Sequence, residues 1–199
     1  LEDARKAQSL NPDLFESHYL IGVILGRKID PEDPEMIDRA LDSLISASQI
    51  NSMNPDGWLR ISDLWQRKGE LKKAKLAMFR AVKLSPESKL YLRRYTVLHE
   101  KELDESVQQN SAEISESLRK TLKHMLKLFP DDSWVHAHYG NWAWSQEKYA
   151  LAEKHLQRSL ELQDVYPWAS FRLGVVFFSQ EKWELALEFF EDGLSHEPE

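Results

Sequence analysis

The sequence predicts an all-α chain built as an array of antiparallel helix hairpins, and two observations carry that prediction. In residues 55–88, large or apolar side chains fall at Trp58, Ile61 and Trp65, Gly69 interrupts them, and Ala74, Met78 and Ala81 then recur at three- and four-residue steps until Pro86. That is two amphipathic helices joined by a glycine turn and ended by a proline. The second observation is a period. Gly140 to Gly174 and Ala152 to Ala186 are each separated by 34 residues, and independent positions agreeing on one spacing mark an internal repeat.

Taken in order, residues 1–14 carry Ala4, Ala7 and Pro12 at the spacing of Met78, Ala81 and Pro86. They read as the second helix of a truncated repeat whose first helix lies upstream, so the chain is expected to be a fragment of a longer one. Residues 15–54 form the next repeat: His18, Ile21, Gly22 and Leu25 match Trp58, Ile61, Ser62 and Trp65, and Ala40, Leu44 and Ala47 belong to its second helix. Gly22 to Ala40 is six residues longer than Ser62 to Ala74, an insertion placed near 27–35. Asp33 followed by Pro34 there suits an N-cap and a first helical residue.

After the unbroken unit at 55–88, residues 89–132 continue with Leu92, Tyr95, Thr96 and His99, then Leu118, Leu122 and Met125, and carry ten extra residues near 102–116. Two readings fit the insertion. It is a loop in which Asn110 caps the next helix and Glu113 closes a capping box, or the second helix reaches back to a start near Asp104. The longer helix is preferred, because the segment is rich in helix formers and has neither glycine nor proline. Residues 133–166 and 167–199 return to the regular spacing, with Tyr139, Gly140 and Ala143 answered by Leu173, Gly174 and Phe177.

This spacing, with small residues where paired helices cross, resembles the tetratricopeptide repeat over essentially the whole chain. The resemblance implies a right-handed α-solenoid whose first helices line a concave groove for a partner segment. Asp164 where a proline like Pro86 is expected, and Leu118 where an alanine like Ala74 is expected, are local departures.

Composition narrows the function. The 199 residues are 30% charged with a formal charge of −7, and no apolar run approaches the roughly 18 residues of a spanning helix, so no membrane segment is expected. No secretory signal is visible; the compartment stays open, with the cytoplasm preferred. The absence of cysteine excludes disulfides, thiolate metal sites and a cysteine nucleophile. Net charge is −5 over 1–54, +4 over 55–88, 0 over 89–132, −1 over 133–166 and −5 over 167–199. A basic middle between acidic ends argues against general nucleic-acid binding.

No catalytic, metal-binding or cofactor constellation is expected. His99-Glu100 begins like a zinc-protease helix motif, but Leu103 stands where its second histidine belongs. His136 and His138, two apart, point about 200° away from each other on a helix, which favours a packing role for His136 and a groove or surface role for His138. Gly22 and Gly26 follow no strand and lack the partners of a phosphate loop.

The candidate site comes from laying the repeats over one another. Arg60, Arg94, His138 and Arg172 occupy one register and form a ladder suited to carboxylates, which arginine holds bidentately. Asp63, Arg67, Arg93 and Asn141 complete its polar part, and Trp134, Trp144, Trp168 and Phe171 supply exposed aromatic contacts of the kind that make hot spots. Two roles stay open for the arginines: holding a partner, or pairing with neighbouring acids to tie repeats together. Some members of the family grip the C-terminal carboxylate of a chaperone; Arg94 matches one clamp position, while Tyr19, Val23 and Leu90 depart from others.

The expected function is a non-catalytic scaffold that binds a protein or peptide segment, acidic or C-terminal, in the groove. Alternatives are the partner- or substrate-positioning repeats of a larger enzyme such as a glycosyltransferase, and an RNA-processing scaffold of the half-a-tetratricopeptide type, suggested by Trp58, Trp65 and Arg80-Ala81. Self-association through exposed faces of the terminal repeats is a further expectation.

Overall fold

The computed structural model describes residues 2–29, 33, 35–105, 111–163 and 166–196, which hold eleven helices and no strand. They fall into two compact units, Leu1–Ser106 and Val107–Glu199.

Unit 1 contains α1 (Glu2–Leu10), α2 (Phe15–Arg27), α3 (Glu35–Ile50), α4 (Pro55–Arg67), α5 (Leu71–Leu84) and α6 (Lys89–Glu105). The hairpins are α2 with α3 and α4 with α5, joined side by side through α3 against α4, with α6 packed on α5. Local chemistry marks some of the helix starts. At the start of α4, for example, the Asn54 Oδ1 accepts a hydrogen bond from the Gly57 amide at 3.1 Å and Pro55 follows the cap, which suits a first-turn position whose N–H has no helical partner. One core lies around Ile21, Leu25, Leu41, Leu44, Ile61 and Leu64; the next gathers Leu59, Met78, Ala81, Tyr91 and Leu98.

Unit 2 contains α7 (Ser111–Leu128), α8 (Ser133–Ser145), α9 (Tyr149–Leu162), α10 (Pro167–Ser179) and α11 (Trp183–Ser195). The hairpins are α8 with α9 and α10 with α11; α9 packs on α10, and α7 on α8. Asp132 caps α8 by accepting from the Val135 amide at 3.2 Å. Helix α8 is buried on nearly every side, from Val135 through Gly140 and again at Trp142 and Ala143.

Paired helices cross at the small residues. A Cβ on Gly22 would stand 2.5 Å from the Leu44 Cγ, and one on Gly140 would stand 2.7 Å from the Leu156 Cγ and 3.1 Å from the Ala152 carbonyl oxygen. No side chain fits there without moving a neighbour. At the corresponding crossings of α4 and α6, Ser62 and Thr96 are fully buried.

Two devices recur where elements join. The turns of three hairpins each need one left-handed residue: Gly69 at φ 77°, Glu147 at φ 55° and Glu181 at φ 60°. In each, the following amide reaches back five residues, as Glu70 N to Trp65 O at 2.9 Å and Lys148 N to Ala143 O at 2.9 Å, closing the helix end with the paired bonds of a left-handed cap. Between hairpins, a ring N–H on the first helix donates to the carbonyl six residues upstream: His18 Nε2 to Pro12 at 2.7 Å, Trp58 Nε1 to Ser52 at 3.1 Å, and His136 Nε2 to Pro130 at 2.9 Å.

One local expectation changes. Helix α7 does not begin near Asp104: that residue and Glu105 end α6, and α7 starts at Ser111. The extra residues lengthen both helices, to 17 and 18 residues, and residues 106–110, with the expected cap Asn110, lie outside the described residues. The early turns of α7 are anchored by buried Ile114 and by Ser115, whose hydroxyl accepts a hydrogen bond from the Trp142 indole at 3.0 Å. At the other insertion the Asp33 carboxylate pairs with Arg39 one turn into α3 and the Asp33 carbonyl accepts from the Met36 amide at 3.0 Å; the expected first helical residue Pro34 lies outside the described residues.

Candidate functional site

In unit 1 the first helices α2 and α4 frame a cleft of about 60 Å³ floored by Gly22, Gly26, Leu44 and Leu64 and edged by Arg27, Arg60, Asp63 and Arg67. Arg67 is committed to the fold: its Nη1 donates to the Gly26 carbonyl at 2.7 Å, tying α4 to α2. Arg94, on α6, lies 3.9 Å from Asp63 on α4, a loose and half-exposed pair; Arg93 beside it is half-buried. Arg60 differs from Arg67 and Arg94. Its Nε is buried and makes no hydrogen bond among the described residues. Arg27 is an addition to the predicted set, and a signal for it exists, because the 40-residue step from Gly22 to Ser62 also carries Arg27 to Arg67.

On the same face Tyr91 donates to the Asp56 carboxylate at 2.8 Å. Burial first, and then that acceptor, push the phenol up to about 12. Deeper in, His99 is buried with its ring edge-on to Tyr95 at 4.4 Å. Burial, then nearby Lys75, hold it down at about 4 against the opposing pull of Glu102, so it is a neutral packing residue at pH 7.

In unit 2 the same register carries different chemistry. Along α8 the Asp56, Arg60 and Asp63 positions of α4 are taken by Trp134, His138 and Asn141. Neither α8 nor α10 contains Asp, Glu or Lys, and Arg172 is the one arginine. The rings form a column. His138 lies 3.7 Å from Trp134 within α8 and 4.7 Å from Trp168 across on α10, and the Arg172 guanidinium sits 5.3 Å from the Trp168 ring centre. His138 is therefore buried between two tryptophans rather than standing at a surface. At the far end of the helices Trp144 donates its indole N–H to Ser179 at 3.0 Å. Phe171 departs from the column: it packs against Phe190 of α11, with ring centres 5.1 Å apart.

Two polar atoms on this face are buried without a hydrogen bond among the described residues, the Arg172 Nε and the Asn141 Oδ1. A cation beside a ring gains from the aromatic quadrupole, but its charge has no acid on either helix to answer it.

A second cavity in unit 2, about 570 Å³, is lined by His136 and by Glu153, Lys154, His155, Arg158 and Glu161 of α9. The Nδ1 atoms of His136 and His155 stand 3.0 Å apart. Because the Pro130 carbonyl can only accept, neutral His136 carries its proton on Nε2 and offers a bare Nδ1, so His155 is the donor in that pair. Burial, then His136, hold His155 at about 4. Among the described residues no group of three or more His, Cys, Asp and Glu side chains is placed to hold a metal ion, and no helix is long and apolar enough to cross a membrane.

No family model matches the chain, and no curated protein matches its sequence. Solved structures do. YrrB, described as a TPR protein with an unusual peptide-binding site, aligns with a TM-score of 0.71 at 16% identity over 98% of this chain and 93% of its own. TTC0263, a thermophilic TPR protein of Thermus thermophilus, gives 0.65 at 17% identity over 94% and 93%. A MamA fragment from Desulfovibrio magneticus RS-1 gives 0.67 at 15% identity over 87% and 94%. At these identities the likeness establishes the fold, that of a tetratricopeptide-repeat array.

Proposed function

We propose, with that fold as the premise, that the chain is a non-catalytic scaffold and that the α8–α10 face of unit 2 holds a peptide segment carrying a carboxylate next to an apolar side chain. The observation that carries the reading is Arg172. It is the single arginine on two helices devoid of acids and lysine, its Nε is buried and makes no hydrogen bond among the described residues, and it stands at the end of a column of rings. A buried donor left without an acceptor costs about 1–3 kcal/mol, which a ligand carboxylate recovers on binding. Trp134 and Trp168 give the flat apolar surface on which neighbouring side chains rest, and Asn141 orients the peptide amide.

Unit 1 offers a second and more polar anchor point through Arg27 and Arg60, while Arg67 is taken up by the Gly26 carbonyl and Arg94 pairs loosely with Asp63. A described peptide-binding site in YrrB, a protein of the same fold, is consistent with this class of function.

The test is a titration of tryptophan fluorescence with a panel of short peptides pairing an aromatic or leucine residue with a free C-terminus, each beside its C-terminal amide. Binding of the acids in preference to the amides is expected, with affinity reduced about tenfold by Arg172→Ala, or about 1.4 kcal/mol. The reading fails if Arg172→Ala lowers the melting temperature and leaves affinity unchanged, or if acids and amides bind alike.

A further inference from the structure

We infer that the open face of α11 docks on the outer face of α5 of a second copy of the chain. Trp183, Leu187 and Leu194 fall on one stripe of α11 and are 54%, 58% and 66% exposed; Phe178 of α10, also exposed, meets Trp183 edge-on at 5.1 Å. The repeat register shows what kind of surface this is. The corresponding residues of α5 are Leu71, Lys75 and Val82, 112 positions earlier. There Leu71 and Val82 pack against the core that includes Tyr91 and Leu98 of α6, and Lys75 pairs with Glu102 of α6. A helix covers this face on α5, and the face is shaped for a helix on α11.

Charge selects the helix. The α11 stripe is bordered by Glu184, Glu188 and Glu191, and residues 167–199 carry −5. Two α11 faces meeting about a twofold axis would set like charges against each other, which is destabilising. The complementary surface is on the chain itself. On the outer face of α5, Leu76 and Phe79 are 56% and 38% exposed among Lys72, Lys73, Arg80 and Lys83. Residues 55–88 carry +4. Three of these cations are steadied by rings: Lys73 4.5 Å from Trp65, Arg80 4.4 Å from Trp58 and Lys83 4.8 Å from Phe79.

One molecule thus presents an apolar stripe rimmed by acids and another copy an apolar stripe rimmed by bases. Such a contact joins different patches, so each copy of a singly joined pair keeps one patch, for a further copy or for the reciprocal contact. Two helix faces make a small interface of the weak, transient class, and its charged rims make it sensitive to salt.

Sedimentation velocity of the full chain across a concentration series, at low and at high salt, tests this. The weight-average mass is expected to rise with concentration at low salt and to fall back at high salt. Lys72→Glu with Lys73→Glu, or Glu184→Lys with Glu188→Lys, should each weaken association at least tenfold while leaving the circular dichroism spectrum and melting temperature unchanged. Combining both pairs in one chain should restore it. A wild type that stays monomeric throughout, or a four-site variant no better than either pair alone, overturns the inference. Stronger association of Glu184→Lys with Glu188→Lys alone also overturns it, because acids of α11 facing bases of α5 require the opposite.

Discussion

Helices α4 and α8 occupy the same place in their hairpins, yet one face is ionic and the other aromatic. Asp56, Arg60, Asp63 and Arg67 on α4 are answered by Trp134, His138, Asn141 and Ser145 on α8. In unit 1 the charges are largely taken up by the protein itself, Arg67 by a carbonyl of α2 and Asp63 by Arg94. In unit 2 the rings stack on one another and leave the Nε of a lone guanidinium without a hydrogen bond among the described residues. A repeat fixes where a side chain points, and the neighbours in that register decide whether it remains available.

The comparison breaks most severely in acid. His99 in unit 1 and His155 in unit 2 are both held near 4, by burial first, with Lys75 the next cause in one and His136 in the other. A folded-state value below the unfolded value near 6.5 means that the unfolded chain takes up the proton first. Stability from these groups is complete above about pH 6.5 and is lost as pH falls toward 4. For His99 the loss is about 2–3 kcal/mol, and urea unfolding of a His99→Leu variant should show a flatter profile over that range than the wild type.

Next come the helix crossings. Gly140→Ala and Gly22→Ala should each destabilise by about 2 kcal/mol, the first in unit 2 and the second in unit 1, measured as the shift in urea midpoint. Equal losses would mean that Leu44 and Leu156 yield equally; a larger loss at Gly22 would match its closer approach of 2.5 Å against 2.7 Å.

A smaller gain is expected at the turns. Glu147→Gly and Glu181→Gly remove a side chain from a left-handed residue and should each stabilise by about 1 kcal/mol, read as a rise in melting temperature, whereas Gly69→Glu should do the reverse in unit 1. The smallest effect belongs to the half-exposed pair of unit 1. Arg94→Ala should cost about 0.5 kcal/mol or less; a larger loss would make the ladder in that unit a structural brace.

Much of the fold was legible because it rests on residue types with one physical role. Gly22, Gly140 and Gly174 mark close crossings, and Gly69 marks a turn. The left-handed turns at Glu147 and Glu181 were hidden, since glutamate is not a residue that favours that conformation; only their 34-residue separation, shared with Gly140 and Gly174, gives them away. The site was less legible than the fold. Helical spacing placed Trp134, His138, Trp168 and Arg172 on related stripes, but the burial of His138 depends on two rings meeting across separate helices. Phe171 turned toward Phe190 because α11 offers it an apolar partner. The segment near 102–116 departs from the expected single long helix because good helix formers lengthen whichever helix they adjoin, and they extended two.

The ring N–H that spans three of the junctions lets one side chain make two joins. At His18 and His136 the spanning proton sits on Nε2, and the opposite nitrogen reaches the neighbouring helix, Nδ1 of His18 to the Gln8 amide at 3.2 Å and that of His136 to His155. One flat ring thus fastens both the turn that precedes its helix and the helix packed beside it, so the register position that closes the connection also sets the spacing of its neighbour.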